Sequence, residues 1–374
     1  MSERVHWCRE TGDLEARLDS LGAGPLALDT EADSLHHYPE KVCLVQLSFG
    51  GIDLLVDPLA GVDLAALEPI LEKREVRKVL HGADYDLRIL NRDFGLKLYG
   101  LFDTMIAARL VGERSFGLAA LLEQHFGVAL EKKYQRADWS RRPLPQAMEA
   151  YAVLDTRHLI PLAELLENRL VELGREGWAA EEFAVLEKVR WNDRADRETY
   201  RNLKGSGSLE RRGLAVLREI VAVRERLARA ADRPPFMILL NDSMLSIARE
   251  KPSDRRALSR LLGSRGRGLR GPDSQRLLEA VGHALNLPEE ELPELTVSRR
   301  RRRDGPAQER LRALLGRRET IALELDLEPS ILGSRALLEA MLSRASQAQD
   351  PGGTPGLRLW QWRLLGPELC RIAP

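Results

Sequence analysis

Two hydrophobic periodicities divide this chain. In the first part, short apolar runs of strand length alternate with stretches whose apolar residues return every three to four positions, while beyond about residue 204 only the helical spacing persists. Leu26–Asp29, Val42–Phe49 and Ile52–Val56 lie close together, with Gly50-Gly51 between the last two, which predicts antiparallel hairpins. Leu64–Lys73 predicts an amphipathic helix, Lys78–Leu80 a strand and Asp84–Phe94 a helix. Helices are predicted at Met105–Val111 and Leu118–Phe126, and Pro145–Leu173 reads as one long helical stretch. The expected product is a mixed sheet flanked by helices.

The second part reads as all helical. Leu203–Ser208, with its Gly and Ser residues, is a plausible linker; after it Leu214, Leu217, Val221 and Leu227-Ala228 mark one helix face, with arginines elsewhere. Asp232 and Pro234-Pro235 stop that helix, and the next begins near Phe236. LRALLGRRETIALELDLEPSILGSRALLEAML is a weaker second copy of the pattern, roughly a hundred residues later. Between the copies runs Arg299, Arg300, Arg301, Arg302 and Arg303, which reads as a solvated linker by default and as a phosphate-binding run otherwise. Gln347–Gly356 reads as a loop, and Trp360 and Trp362 as core or docking residues before base-stacking ones.

At 374 residues two or three domains are expected. No apolar segment follows MSERVHW and no long apolar run occurs elsewhere, so neither secretion nor membrane insertion is indicated. Cys8, Cys43 and Cys370 are scattered and odd in number, which fits a reducing cytoplasm and neither a disulfide framework nor a metal motif. The zero net charge conceals a split, about −10 over residues 1–200 and about +10 over 201–374. An acidic half suits a metal site and an arginine-rich half suits nucleic-acid phosphates.

Four carboxylates and a tyrosine then stand out. A strand through Leu26–Leu28 puts Asp29 and Glu31 on one face, and a helix puts Tyr151 and Asp155 one turn apart on another. Asp86 follows the Lys78–Leu80 run as a helical pattern begins. Asp-x-Glu recurs at Asp13/Glu15, Asp196/Glu198 and Asp326/Glu328, and Tyr-x-x-x-Asp at Tyr99/Asp103 and Tyr134/Asp138. Those copies sit on a solvated helix, beside a proline, at a turn or in a polar stretch. Mg²⁺ prefers hard oxygen ligands, and two such ions roughly 4 Å apart can hold the attacking and leaving oxygens of a phosphodiester displacement.

LDTEADSLHHYPEKVCLVQLS, KVLHGADYDLRILNRDFGLKLYGLFDTMIAARL and AMEAYAVLDTRHLIPLAELL resemble the three exonuclease motifs of the DEDD superfamily, and over nearly the whole chain those of the ribonuclease D family. Ala150 stands where the sister branch has histidine, so the resemblance is to the tyrosine branch. It implies a ribonuclease-H-like α/β exonuclease domain over residues 1–204, an HRDC domain over 205–290 and a degenerate HRDC-like helical domain over 291–374. It also implies Asp29, Glu31, Asp86 and Asp155 as ligands of two divalent ions, Mg²⁺ or Mn²⁺, with Tyr151 orienting the attacking water. With a pKa of about 10, tyrosine suits positioning better than proton removal. The expected activity is 3′→5′ trimming of structured RNA, most of all tRNA precursors, with release of nucleoside 5′-monophosphates by a cytoplasmic monomer. A DNA exonuclease is the alternative, and an inactive nucleic-acid-binding scaffold a remote one.

Overall fold

The computed structural model describes residues 5–22, 24–192, 199–263, 269, 271–295, 305–347 and 349–372. These form two compact units. One holds the residues up to Glu31, Val42–Trp191 and the helices from residue 305 onward; the other holds Ala32–Lys41 with the stretch from Asn192 to Leu295.

The first unit is built on a six-stranded mixed sheet of β1 (Val5–Cys8), β2 (Leu26–Ala32), β3 (Val42–Phe49), β4 (Ile52–Val56), β5 (Lys78–Leu80) and β6 (Leu101–Asp103), ordered β1-β4-β3-β2-β5-β6. All eight residues of β3 are buried, as expected for a central strand covered on both faces. Gly50 and Gly51, at φ of +53° and +81°, close the antiparallel β3–β4 hairpin. Two consecutive positive φ values are what a type I′ turn requires and what glycine adopts without strain. Parallel pairs β2–β5 and β5–β6 align Ala27, Val79 and Phe102 in one row of the core.

Helices α1 (Thr11–Leu18), α2 (Glu68–Leu71), α3 (Asp84–Phe94), α4 (Thr104–Leu110), α5 (Leu118–Phe126), α6 (Gln146–Arg157), α7 (Leu159–Glu172) and α8 (Glu176–Leu186) accompany the sheet. Two expectations needed correction. Leu64–Lys73 is a 3₁₀ turn, Leu64–Leu67, followed only by the four-residue α2, because Pro69 lacks an N–H to continue the ladder. The stretch from Pro145 to Leu173 breaks at His158 into α6 and α7.

The same core continues past residue 305. Leu311, Leu314 and Ile321 of α13 (Gly305–Glu324), Leu338 and Met341 of α14 (Arg335–Ser346), and Trp360, Leu365 and Leu369 of α15 (Leu359–Ile372) join Ala107, Leu121, Leu162 and Leu166 in one apolar cluster. Trp360 stacks on Trp178 at 4.7 Å and donates its indole N–H to Glu182 at 3.1 Å. The buried Arg175 guanidinium donates to the carbonyls of Leu110 and Leu325, 2.6 Å each, which ties α4 to the end of α13. Gly112 has φ +92°, and a Cβ there would lie 2.6 Å from the Asp326 carbonyl oxygen, so this close approach needs glycine.

The second unit is helical. α9 (Arg211–Ala231) buries Leu214, Leu217, Ile220 and Val221 against α10 (Asn241–Glu250), α11 (Arg255–Leu262) and α12 (Gly271–Leu285). Asp254 caps α11 by accepting from the Ala257 N–H at 2.8 Å. In the 32–41 segment, His37 Nδ1 pairs with Asp232 at 2.7 Å, the Tyr38 N–H donates to the same carboxylate at 3.1 Å, and the Tyr38 hydroxyl donates to Glu225. Arg226 and Arg233 on or just past α9 are exposed.

Candidate active site

β2 delivers Asp29 and Glu31 as alternation dictates: both project to the face that α6 covers, and Thr30 between them projects to the other. Asp155, on the buried side of α6, meets them there. One carboxylate oxygen each from Asp29, Glu31 and Asp155 lies within 4.8 Å of the others. Asp86 enters from the first turn of α3. Its carboxylate accepts a hydrogen bond from the Thr30 hydroxyl at 2.5 Å, and its charge acts on both Asp29 and Glu31. Tyr151, one turn before Asp155, donates its hydroxyl proton to the Asp155 carboxylate.

Each element is pinned. Asp103 accepts from the N–H groups of Gly82 and Ala83 at 3.1 and 2.8 Å, and from those of Met105 and Ile106, so a single carboxylate fixes the starts of both α3 and α4. Behind α6, the Ser48 hydroxyl lies 2.7 Å from Thr156 Oγ1 and donates to Asp53 at 2.6 Å, while Arg157 Nε and Nη2 reach the same Asp53 carboxylate at 2.9 and 2.6 Å. This network anchors the last turn of α6, which carries Asp155, to the β3–β4 hairpin. His81, just past β5, has Nδ1 2.9 Å from Thr104 Oγ1; because that hydroxyl donates to the Leu80 carbonyl, the imidazole Nδ1–H is the donor to it. Burial holds His81 at about 4, so the imidazole is neutral.

Crowding four acids in one place changes their chemistry. Burial, then the charges of Asp86, Asp155 and Glu31, push the Asp29 carboxyl well above the usual range; burial and the charges of Asp155 and Asp86 do the same to Glu31. Burial raises Asp86 to about 6 and Asp155 to about 8, the latter in spite of the Tyr151 hydrogen bond. Tyr151 is itself pushed upward by burial and by the Asp155 charge, so it stays protonated. A cluster of hard oxygens that resists ionisation for want of countercharge fits divalent cations.

Two neighbours were not singled out from the sequence. Thr30 lies between two acids of one face, but its partner, Asp86, stands 56 positions away in the chain. Tyr134, whose ring lies 5.6 Å from that of Tyr151, stands in a stretch that reads only as polar. The Arg299–Arg303 run lies outside the described residues.

Residues 5–171 match the 3′-5′ exonuclease family model and residues 213–281 the HRDC domain. The ribonuclease D of Gluconacetobacter diazotrophicus is 35% identical over 97% of this chain and 91% of its own length. That of Pseudomonas paraeruginosa is 32% identical over 98% and 96%. Among solved structures, Escherichia coli RNase D superposes with a TM-score of 0.79 at 26% identity, covering 99% of this chain and 98% of its own. The catalytic core of RRP6 from Trypanosoma brucei gives 0.64 at 30% identity, over 76% and 80%. Such exonucleases imply divalent metal ions, to which the acidic cluster is suited. The chain belongs to the ribonuclease D family and is a 3′–5′ exoribonuclease.

Proposed function

We propose that the enzyme trims 3′ tails from structured RNA, tRNA precursors above all, releasing nucleoside 5′-monophosphates. In this reading Asp29, Glu31, Asp86 and Asp155 hold two divalent ions, Mg²⁺ or Mn²⁺. The observation that carries it is the convergence of Asp29, Glu31 and Asp155 from two distant elements, with Asp86 steered toward them by Thr30. The ions, when bound, supply countercharge for the scissile phosphate and activate water.

The chain's own residues do the rest. Four carboxylates set the charge that the cations balance. Tyr151, protonated and hydrogen-bonded to Asp155, orients the attacking water without removing its proton. Thr30 holds the Asp86 carboxylate in one rotamer. Exposed arginines of the HRDC unit, Arg226 and Arg233 among them, supply attraction for RNA phosphates that an acidic catalytic half lacks. Escherichia coli RNase D is described as an exoribonuclease involved in structured RNA processing, which favours the same substrate class here. No described helix is long and apolar enough to cross a membrane, and we place the enzyme in the cytoplasm as a monomer.

The test compares the wild type with Asp155→Asn on 5′-labelled tRNA precursors and on single-stranded RNA and DNA, each with free or blocked 3′ ends. Metal-dependent mononucleotide release by the wild type, abolished in Asp155→Asn with RNA binding retained, is the expected result. Near-normal turnover by a folded Asp155→Asn variant refutes the site. Faster cleavage of DNA than of any RNA refutes the substrate.

A further inference from the structure

The connection between α5 and α6 carries Lys133, Tyr134, Arg136 and Trp139. Its far end is anchored: Arg142 donates to both oxygens of Asp57, at 2.6 and 2.7 Å, and to the Cys43 carbonyl at 2.6 Å. Two aromatic rings of this segment approach Tyr151, Trp139 at 6.1 Å and Tyr134 at 5.6 Å between centroids. They differ in surroundings. Trp139 is 1% exposed and spends its surface in the core with Leu44, Leu144 and Met148. Tyr134 is only half-buried, and its neighbours Lys133, Gln135 and Arg136 are exposed.

Tyr134 thus offers aromatic surface to solvent directly beside the tyrosine assigned to the attacking water. The Lys133 ammonium lies 4.8 Å from its ring centroid and pairs with Glu131. That pair is fully exposed, and such pairs contribute little, so the cation exchanges a carboxylate for a phosphate at small cost. An aromatic face with an exposed cation over it is the equipment that binds single-stranded nucleic acid: the ring takes a base of any identity and the cation takes the backbone. An enzyme that starts only at 3′ ends must also recognise the nucleoside that carries the free end.

We propose that Tyr134 is the stacking platform for the base of the 3′-terminal nucleotide, with Lys133 passing from Glu131 to an RNA phosphate. This rests on the reading of Tyr151 and Asp155 as the active site. Tyr134 is a substrate-binding residue here and touches no reacting atom. Because every base has a π face, the platform suits an enzyme that removes successive nucleotides irrespective of sequence. The competing role is that Tyr134 only props the Tyr151 ring.

Two 5′-labelled oligoribonucleotides, identical except that one ends in adenosine and the other in an abasic ribose, separate these roles. For removal of the terminal residue, the wild type should favour adenosine by about tenfold in kcat/KM, mainly through KM. Tyr134→Leu, which keeps apolar bulk without an aromatic face, should erase that preference, and Tyr134→Phe should retain it. Melting curves establish that both variants are folded. If Tyr134→Leu slows both substrates equally and leaves the preference intact, Tyr134 is a prop and the proposal fails. If the wild type shows no preference while Asp155→Asn is inert, the platform fails and the active-site reading stands. Full turnover by Asp155→Asn overturns both.

Discussion

Stripping divalent ions should make the stability of this protein fall as pH rises from 5 to 8, and restoring them should cancel the fall. In the metal-free fold, burial lifts Asp86 to about 6 and Asp155 to about 8, whereas in the unfolded chain an aspartate titrates near 4, or roughly 3.9. Between those values the folded state binds more protons than the unfolded one, so stability decreases with rising pH. Between pH 5 and 8 Asp86 alone accounts for a loss of about 1.4 kcal/mol, the rest of its shift being expressed below pH 5. Asp155, raised further, extends the loss toward pH 8. At about 2 °C per kcal/mol for a unit of this size, the melting temperature should drop by about 5 °C or more. Cations reverse this by displacing the protons, and a hundredfold excess over Kd adds about 2.7 kcal/mol. His81, held neutral by burial at about 4, works in the opposite direction below its ordinary pKa, since its folded value is depressed. It does so with and without metal, so the difference between the two curves isolates the carboxylates. The assay is thermal unfolding in EDTA and in excess Mg²⁺ at each pH. A metal-induced gain that is equal at pH 5 and pH 8 refutes the reasoning.

Three further outcomes follow from single contacts. Tyr151→Phe removes one hydroxyl and keeps the ring against Trp139 and Tyr134; turnover should fall roughly 10²-fold while the Mg²⁺-induced rise in melting temperature is unchanged, and a parallel loss of that rise would make Tyr151 a structural support. Thr30→Val deletes the donor to Asp86; a hydrogen bond to a charged group contributes about 1.5–3 kcal/mol, so kcat should drop at least about tenfold, and an unaltered kcat means that Asp86 needs no steering. Trp360→Ala empties a fully buried site beside Trp178; a loss of about 3–5 kcal/mol is expected, with exonuclease activity inactivating at correspondingly lower temperature, and unaltered heat inactivation would show that α15 is dispensable to the catalytic unit.

What was legible in the sequence is what depends on local period. Asp29 and Glu31 share a face because strand side chains alternate, and Tyr151 and Asp155 share one because a helix turns in under four residues. Both placements need only neighbours in the chain. The strand that brings Asp86 was also visible, as three apolar-flanked residues before a helical pattern. What was not legible depends on tertiary partners. Nothing local marks Thr30 as the donor to a carboxylate 56 positions away. Tyr134 was passed over because its flanking residues are polar, yet the fold turns its ring to Tyr151. The helical stripes past residue 305 announce a buried face without saying what buries it, and their partners prove to be α4, α5, α7 and α8. The break at His158, by contrast, has a local mark that was passed over: Pro161 lacks the N–H that would bond the Arg157 carbonyl and its ring crowds that carbonyl, so α6 ends there and α7 begins afresh.

The cluster that unites α4 and α7 with α13 to α15 has a consequence for how the protein is made. Ala27 and Leu369 belong to the same core, and translation emits them at opposite ends of the process. While the intervening residues are still being added, Leu110, Leu122, Leu162 and Leu166 lack the side chains that will cover them, and a nascent chain in that condition is exposed to misassociation. Contacts of such long sequence separation also form late, because loop closure must precede any gain from them. A ribonuclease built this way matures only after its last helices have left the ribosome.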